Sequence, residues 1–155
     1  MSNKDIPVIL VIGGAGGIGS AVARRLAQSC RLVLAGRNAE RLVSVATETG
    51  AQPVVLDARD GGAVDSAFQL VLSSYGRMDG VVNCAGSVLL KPAHLITDQE
   101  FGDTLALNLT TAFNVLRAAT RVMMRQPEGG SIVLCSSVAA RRGLANHEAI
   151  AAAKA

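Results

Sequence analysis

The chain predicts a doubly wound α/β fold, in which a parallel sheet of five strands carries helices on both faces. Three observations support this. Apolar runs too short for helices alternate with stretches whose apolar residues recur at helical spacing. The first run, residues 7–12, leads directly into Gly13-Gly14-Ala15-Gly16-Gly17-Ile18-Gly19, behind which a helical pattern opens. Gly50 and Gly76 close two later helical stretches, where a helix end calls for a left-handed residue.

Taken in order, residues 7–12 read as a buried parallel strand and residues 20–27 as the first helix. Residues 31–35 are the second strand and 39–49 the second helix. Residues 52–56, 61–75 and 80–84 give the third strand, third helix and fourth strand. A loop over 85–96 precedes Thr97-Asp98-Gln99-Glu100, whose Thr and Glu have capping-box spacing. That box predicts one long helix to about Arg125. Pro127-Glu128-Gly129-Gly130 is a turn, 131–135 the fifth strand, and a last helix begins near Asn146. Parallel strands need crossover connections, so helices cover both faces. No linker, repeat or low-complexity tract interrupts residues 1–155, which read as a single, dinucleotide-binding domain.

Composition limits the functional classes. Half of the 155 residues are hydrophobic and 17% are charged, enough for one core that buries roughly 68–70% of the unfolded surface. The net charge of +3 comes from scattered arginines, and there are one Tyr, three Phe and no Trp. Nucleic acid is therefore not an expected partner, because base stacking lacks its aromatic platforms. No run approaches the roughly 18 apolar residues of a membrane span. Asp5 and the short apolar run after it lack a signal peptide's layout. Cys30, Cys84 and Cys135 share no metal-like spacing, which suggests free thiols in a reducing cytoplasm. No metal site is expected.

The glycine turn has a specific chemistry. Glycine lets the chain turn tightly, brings backbone close to a pyrophosphate and lets the new helix pack on the sheet. The helix N-terminus then meets the anion. A ribose would lie at the end of the second strand, where an acid favours NAD. This chain has Ala35-Gly36-Arg37-Asn38 instead. Arg37 suits a 2'-phosphate, so NADP(H) is the preferred cofactor and NAD(H) the alternative. The plainer reading of Arg37 is a solvated arginine at a helix start.

Further residues, in order, resemble the classical short-chain dehydrogenase/reductase family, which is Rossmann-like. Asp57, followed by Ala58, looks like that family's adenine-contacting Asp. Asn83-Cys84-Ala85-Gly86 resembles its N-N-A-G motif with Cys in the second place. Asn108 looks like the helix Asn that holds an active-site water, and Ser136-Ser137-Val138 resembles the segment carrying the catalytic Ser. Each has a local alternative: Asp57 as a cap, Asn83 as a hydrogen bonder between strands, Asn108 as a satisfied mid-helix polar group, and Ser137 as a loop hydrogen bonder.

The resemblance implies carbonyl reduction or alcohol oxidation on an unidentified small molecule. Gly13, Ala15, Gly16, Gly17, Ile18 and Gly19 would form the pyrophosphate turn. Arg37 and Asn38 would meet the 2'-phosphate side, Asp57 and Ala58 the adenine, and Asn83, Ala85 and Gly86 the nicotinamide side. Ser137 and Asn108 would be catalytic polar groups, and Lys154 would hold the ribose. It also implies a homo-oligomer built on the long helix and the last helix.

The pattern breaks at its proton donor. The family's Y-x-x-x-K motif falls on Ile150-Ala151-Ala152-Ala153-Lys154, one helical turn with its lysine in place and its tyrosine missing. Ile has no transferable proton, and losing a general acid costs about 10² to 10⁴ in rate. Tyr75 is too distant in the pattern to substitute. His147, three residues earlier on the same broad face of the helix as Ile150 and with an ordinary pKa near 6.5, is a candidate donor; the plainer reading is a solvated first-turn residue. Arg141-Arg142 reads as an exposed loop, with an anionic substrate as the alternative. A non-catalytic NADP(H)-binding module or redox sensor is the competing function. The family continues beyond the equivalent of Ala155, so the expectation is a truncated chain, with an open apolar edge on the fifth strand that favours aggregation.

Overall fold

The computed structural model describes residues 6–155, so Asp5 and the leader reading based on it lie outside the described residues. Strands β1 (Val8–Ile12), β2 (Arg31–Gly36), β3 (Gln52–Val55), β4 (Gly80–Asn83) and β5 (Ser131–Leu134) form one parallel sheet in the order β3-β2-β1-β4-β5. The chain winds outward from β1 in both directions. The reversal between β1 and β4 opens a crevice at the carboxyl ends of the strands, the place where such sheets bind ligands.

The apolar runs are continuous because both sheet faces are covered. Helices α1 (Gly17–Leu26) and α2 (Ala39–Thr49) cover one face, around Val11, Leu32, Leu34 and Leu42. Helices α3 (Gly61–Tyr75) and α5 (Thr111–Met123) cover the other, around Leu10, Ile12, Phe68, Val71 and Val115. Gly50 and Gly76 are left-handed at φ 69° and 72° and end α2 and α3 as expected. The Thr97–Glu100 capping box is present and starts α4 (Asp98–Leu105).

Three helices differ from the sequence expectation by more than one residue. Helix α1 begins at Gly17, three residues early, so Gly17 and Gly19 lie inside the helix. The single long helix predicted from Thr97 is instead α4, a π-helical segment over Ala106–Thr110, and α5; the wide turn holds Asn108 inward, as such insertions often do at functional sites. Helix α6 (Glu148–Lys154) starts two residues later than Asn146. Asn146 has φ 62° and its carbonyl accepts from Lys91 N–H at 2.9 Å, so its backbone belongs to the loop. Val133 and Leu134 of the outer strand β5 are exposed. Among the described residues no helix is long and apolar enough to cross a membrane.

Candidate functional site

The glycine turn divides its work among its residues. Gly13, at φ 78°, sits so close to β4's exit that a Cβ there would come within 2.7 Å of Ala85 N. Its N–H and that of Gly14 both donate to Ala35 O at the end of β2, at 2.8 and 3.0 Å. Gly19 lets α1 press onto the turn, since a Cβ there would meet Gly13 O at 2.1 Å. Gly17 is different, because a Cβ there would meet nothing within 4 Å. Its absence leaves open space at the first turn of the helix.

That open end is also unsatisfied. Helices α2, α3 and α4 are capped by Asn38, Asp60 and Thr97 side chains, whereas α1 has Gly16 at its N-cap, no side-chain cap and no acid in its first turn. Its leading N–H groups therefore lack the usual side-chain acceptor, the arrangement that binds phosphate oxygens. Ile18 is exposed beside them.

A cleft of about 470 Å³ runs from this turn along the strand ends. Gly13, Ala15, Gly16, Arg37, Asn38, Asp57, Ala58, Ala85 and Gly86 line it, so most of the expected cofactor residues converge on one cavity. Gly19 and Asn83 are buried supports. The Asn83 side chain accepts from Ala85 N–H at 3.1 Å and so shapes the wall without lining it. Arg41, Cys84, Leu107 and Thr111 also line the cleft and were not anticipated. Arg41 had a readable signal, since it follows Arg37 by four residues at a helix start. Its N–H donates to Asn38 Oδ1 at 2.8 Å, so Asn38 caps α2 while facing the cleft.

Two guanidinium groups thus stand near the end of β2 with no carboxylate of β2 beside them. The Asp57 carboxylate is occupied by Arg59, with Nε at 2.9 Å from Oδ2. That hydrogen-bonded guanidinium holds the Asp57 carboxyl below its ordinary value despite opposing burial, and the charge of Arg37 adds to it. The group is an anion at neutral pH and can accept from an adenine amino group.

At the other end, Asn108 is 1% exposed. Its Nδ2 donates to Thr104 O and Ser87 Oγ at 2.9 and 3.1 Å, and its Oδ1 accepts from Ser87 N–H. The side chain therefore fixes the loop after Gly86. Lys154 Nζ donates to Cys135 O at 2.8 Å and would lie 3.3 Å from a Cβ at Gly86, which makes Gly86 the point where lysine, asparagine and cleft meet. Ser137 Oγ accepts from Ala139 N–H at 3.2 Å and keeps its own O–H to donate.

Ile150, the position where the resemblance implies a tyrosine, is 3% exposed. His147 does not share its helical face, because it is the N-cap of α6 at φ −113° and ψ 14°, and its ring Nδ1 lies 2.8 Å from Ala145 O in its own loop. Tyr75 donates to Gln52, the first residue of β3, at 3.1 Å, at the opposite end of the strands from the cleft.

Comparison with known proteins places this arrangement. The family profile "short chain dehydrogenase" matches residues 7–155. D-threitol dehydrogenase of Mycolicibacterium smegmatis is 35% identical over 156 residues, covering 97% of this chain and 60% of that protein. A metagenomic short-chain oxidoreductase solved in complex with NADP superposes with a TM-score of 0.89 at 31% identity, over 99% of this chain and 72% of that one. Actinorhodin polyketide ketoreductase, solved with NADPH, gives a TM-score of 0.92 at 27% identity, over 99% and 62% of the two chains. The chain belongs to the short-chain dehydrogenase family. It spans from 52% to 61% of the length of the curated relatives it matches.

Proposed function

We propose that the chain binds NADP(H) and contributes the cofactor half of a carbonyl reductase or alcohol dehydrogenase. The uncapped start of α1, with its N-cap Gly16 on the cleft wall, carries this reading. The cleft residues fit the cofactor: an anion site at α1, Arg37 and Arg41 for a 2'-phosphate, Asp57 for the adenine and Gly86 beside Lys154 for the nicotinamide ribose. When bound, the cofactor supplies or accepts the hydride. Ser137 would donate a hydrogen bond to the substrate oxygen and Lys154 would orient the ribose.

A second reading has its own observation. The buried Ile150 offers no proton, so the same cleft also suits an NADP(H)-binding module with little or no turnover.

Nicotinamide fluorescence titration tests the cofactor assignment. NADPH should bind more tightly than NADH. Replacing Arg37 and Arg41 together by Ala should weaken NADPH roughly 10- to 100-fold, the value of losing charge-assisted hydrogen bonds, and leave NADH unchanged. Equal affinity for both cofactors would remove the 2'-phosphate assignment.

A further inference from the structure

Cys84 and Cys135 are the residues that follow β4 and β5. Asn83 pairs with Leu134 in the sheet, and Cys135 N–H carries the ladder one step further by donating to Asn83 O at 3.3 Å. One more step of the register sets Cys84 beside Cys135. Side chains alternate along a strand, so the two thiols leave the same sheet face, the one on which Cys84 packs against the α1 and α2 core. Neighbouring strands lie about 4.8 Å apart, within the roughly 4.4–6.8 Å Cα separation that a disulfide spans.

Their surroundings distinguish the two sulfurs. Both cysteines are free and only partly buried, and Cys84 lies on the cleft wall. Burial, followed by the neighbouring Cys135, pushes the Cys84 thiol up to about 12, against the opposing charge of Lys154. Cys84 therefore keeps its proton near neutrality. Lys154 holds the Cys135 carbonyl at 2.8 Å, which fixes the backbone that carries the second thiol. Cys30 lies apart, in the connection before β2, beside Ser29.

We propose that Cys84 and Cys135 form a redox-active dithiol that closes to an intramolecular disulfide by exchange with a low-molecular-weight disulfide of the glutathione class. Cys135 loses its proton to solvent and its thiolate attacks one sulfur of the oxidant. The oxidant's S–S bond breaks, and one thiolate leaves and takes up a proton. Cys84 then attacks the Cys135 sulfur of the mixed disulfide; the bond from Cys135 to the small thiol breaks, and the departing thiolate takes up, through solvent, the proton that Cys84 loses as its sulfur bonds. Two protein thiols are oxidised and one small disulfide is reduced to two thiols, so no other reactant is needed. Closure would tie the end of β4 to its neighbour β5, near Gly13. The proposal does not depend on the cofactor assignment.

The test is to incubate the folded chain with oxidised glutathione, block remaining thiols with iodoacetamide and map the products by mass spectrometry. The expected product has lost two hydrogens, links Cys84 to Cys135 and carries the alkyl group on Cys30; dithiothreitol reverses the loss. Cys84→Ser should trap a stable glutathione adduct on Cys135, and Cys135→Ser should abolish closure. Stable adducts on both thiols without closure, a bridge that includes Cys30, or a bridge between two chains would overturn the proposal. Mapping of the unsubstituted protein decides the matter even if a variant fails to fold.

Discussion

The two ends of the cleft are built by different means. At the α1 end, function rests on backbone: the turn depends on a left-handed Gly13 and on Gly19, against which any Cβ would clash with Gly13 O at 2.1 Å. At the α6 end, the proposed site rests on side chains projecting from ordinary helix and loop, and there Ile150, at the position where the resemblance implies a tyrosine, is 3% exposed. Where the backbone requirement is also a packing requirement, as at Gly13 and Gly19, fold and site are bound together, so a change that destroys one destroys the other. A side-chain requirement can be dropped while the fold persists, because an apolar residue of suitable size still fills the helix-facing space.

The largest effect should come from restoring the missing group. Ile150→Tyr should raise NADPH-dependent carbonyl reduction by about 10² to 10⁴, the usual contribution of a general acid, measured by NADPH absorbance across a carbonyl panel. If the variant folds, binds NADPH and still shows no turnover, the α6 end lacks more than its proton donor.

Next come the paired glycines of the other end. Gly19→Ala should cost about 3 kcal/mol, the upper range for overpacking, because its clash is with backbone. Gly17→Ala meets nothing within 4 Å and should leave the urea midpoint nearly unchanged or slightly raised, while weakening NADPH binding. Equal destabilisation by both would erase the distinction between a packing glycine and a ligand-facing one.

The smallest effect lies away from both ends. Asp79 accepts from Val8 N–H at 2.8 Å and is paired with Arg77. Burial opposes its ionisation, but Arg77 and the Val8 N–H together hold its carboxyl below its ordinary value of 3.8. A depressed carboxylate contributes stability that is present above its unfolded value and is lost as pH falls through the folded one. Asp79→Asn should therefore cost about 1 kcal/mol or less at neutral pH. Urea melts of the two proteins should converge as pH drops below about 3.8; a constant difference across that range would show that the charge is not the cause.

Much of the cofactor end was legible in the sequence because its constraints are local. Gly13 through Gly19, the helix-ending Gly50 and Gly76, and Arg37 occupy the positions where backbone geometry or helix starts need such residues. Arg41 was missed although its spacing from Arg37 marked it, because the reading stopped at the strand end. The α6 end was less legible. The placement of His147 failed because a left-handed Asn146, held by Lys91 N–H, delays the helix, and nothing local to the sequence announces that loop contact. The π-helical turn at Asn108 was invisible for a related reason, since helical periodicity does not reveal one inserted residue.

The sequence by itself determined the alternation of strands and helices, the glycine turn behind the first strand and the arginine after the second strand, because each follows from short-range sterics, hydrogen bonding or residue chemistry. Only the tertiary structure decided which groups meet. It placed Arg41 in the cleft, brought Lys154, Asn108 and Gly86 together, turned His147 into its own loop and set Cys84 beside Cys135. Those meetings depend on strand order and register, which join residues far apart in the chain through packing that no local pattern encodes.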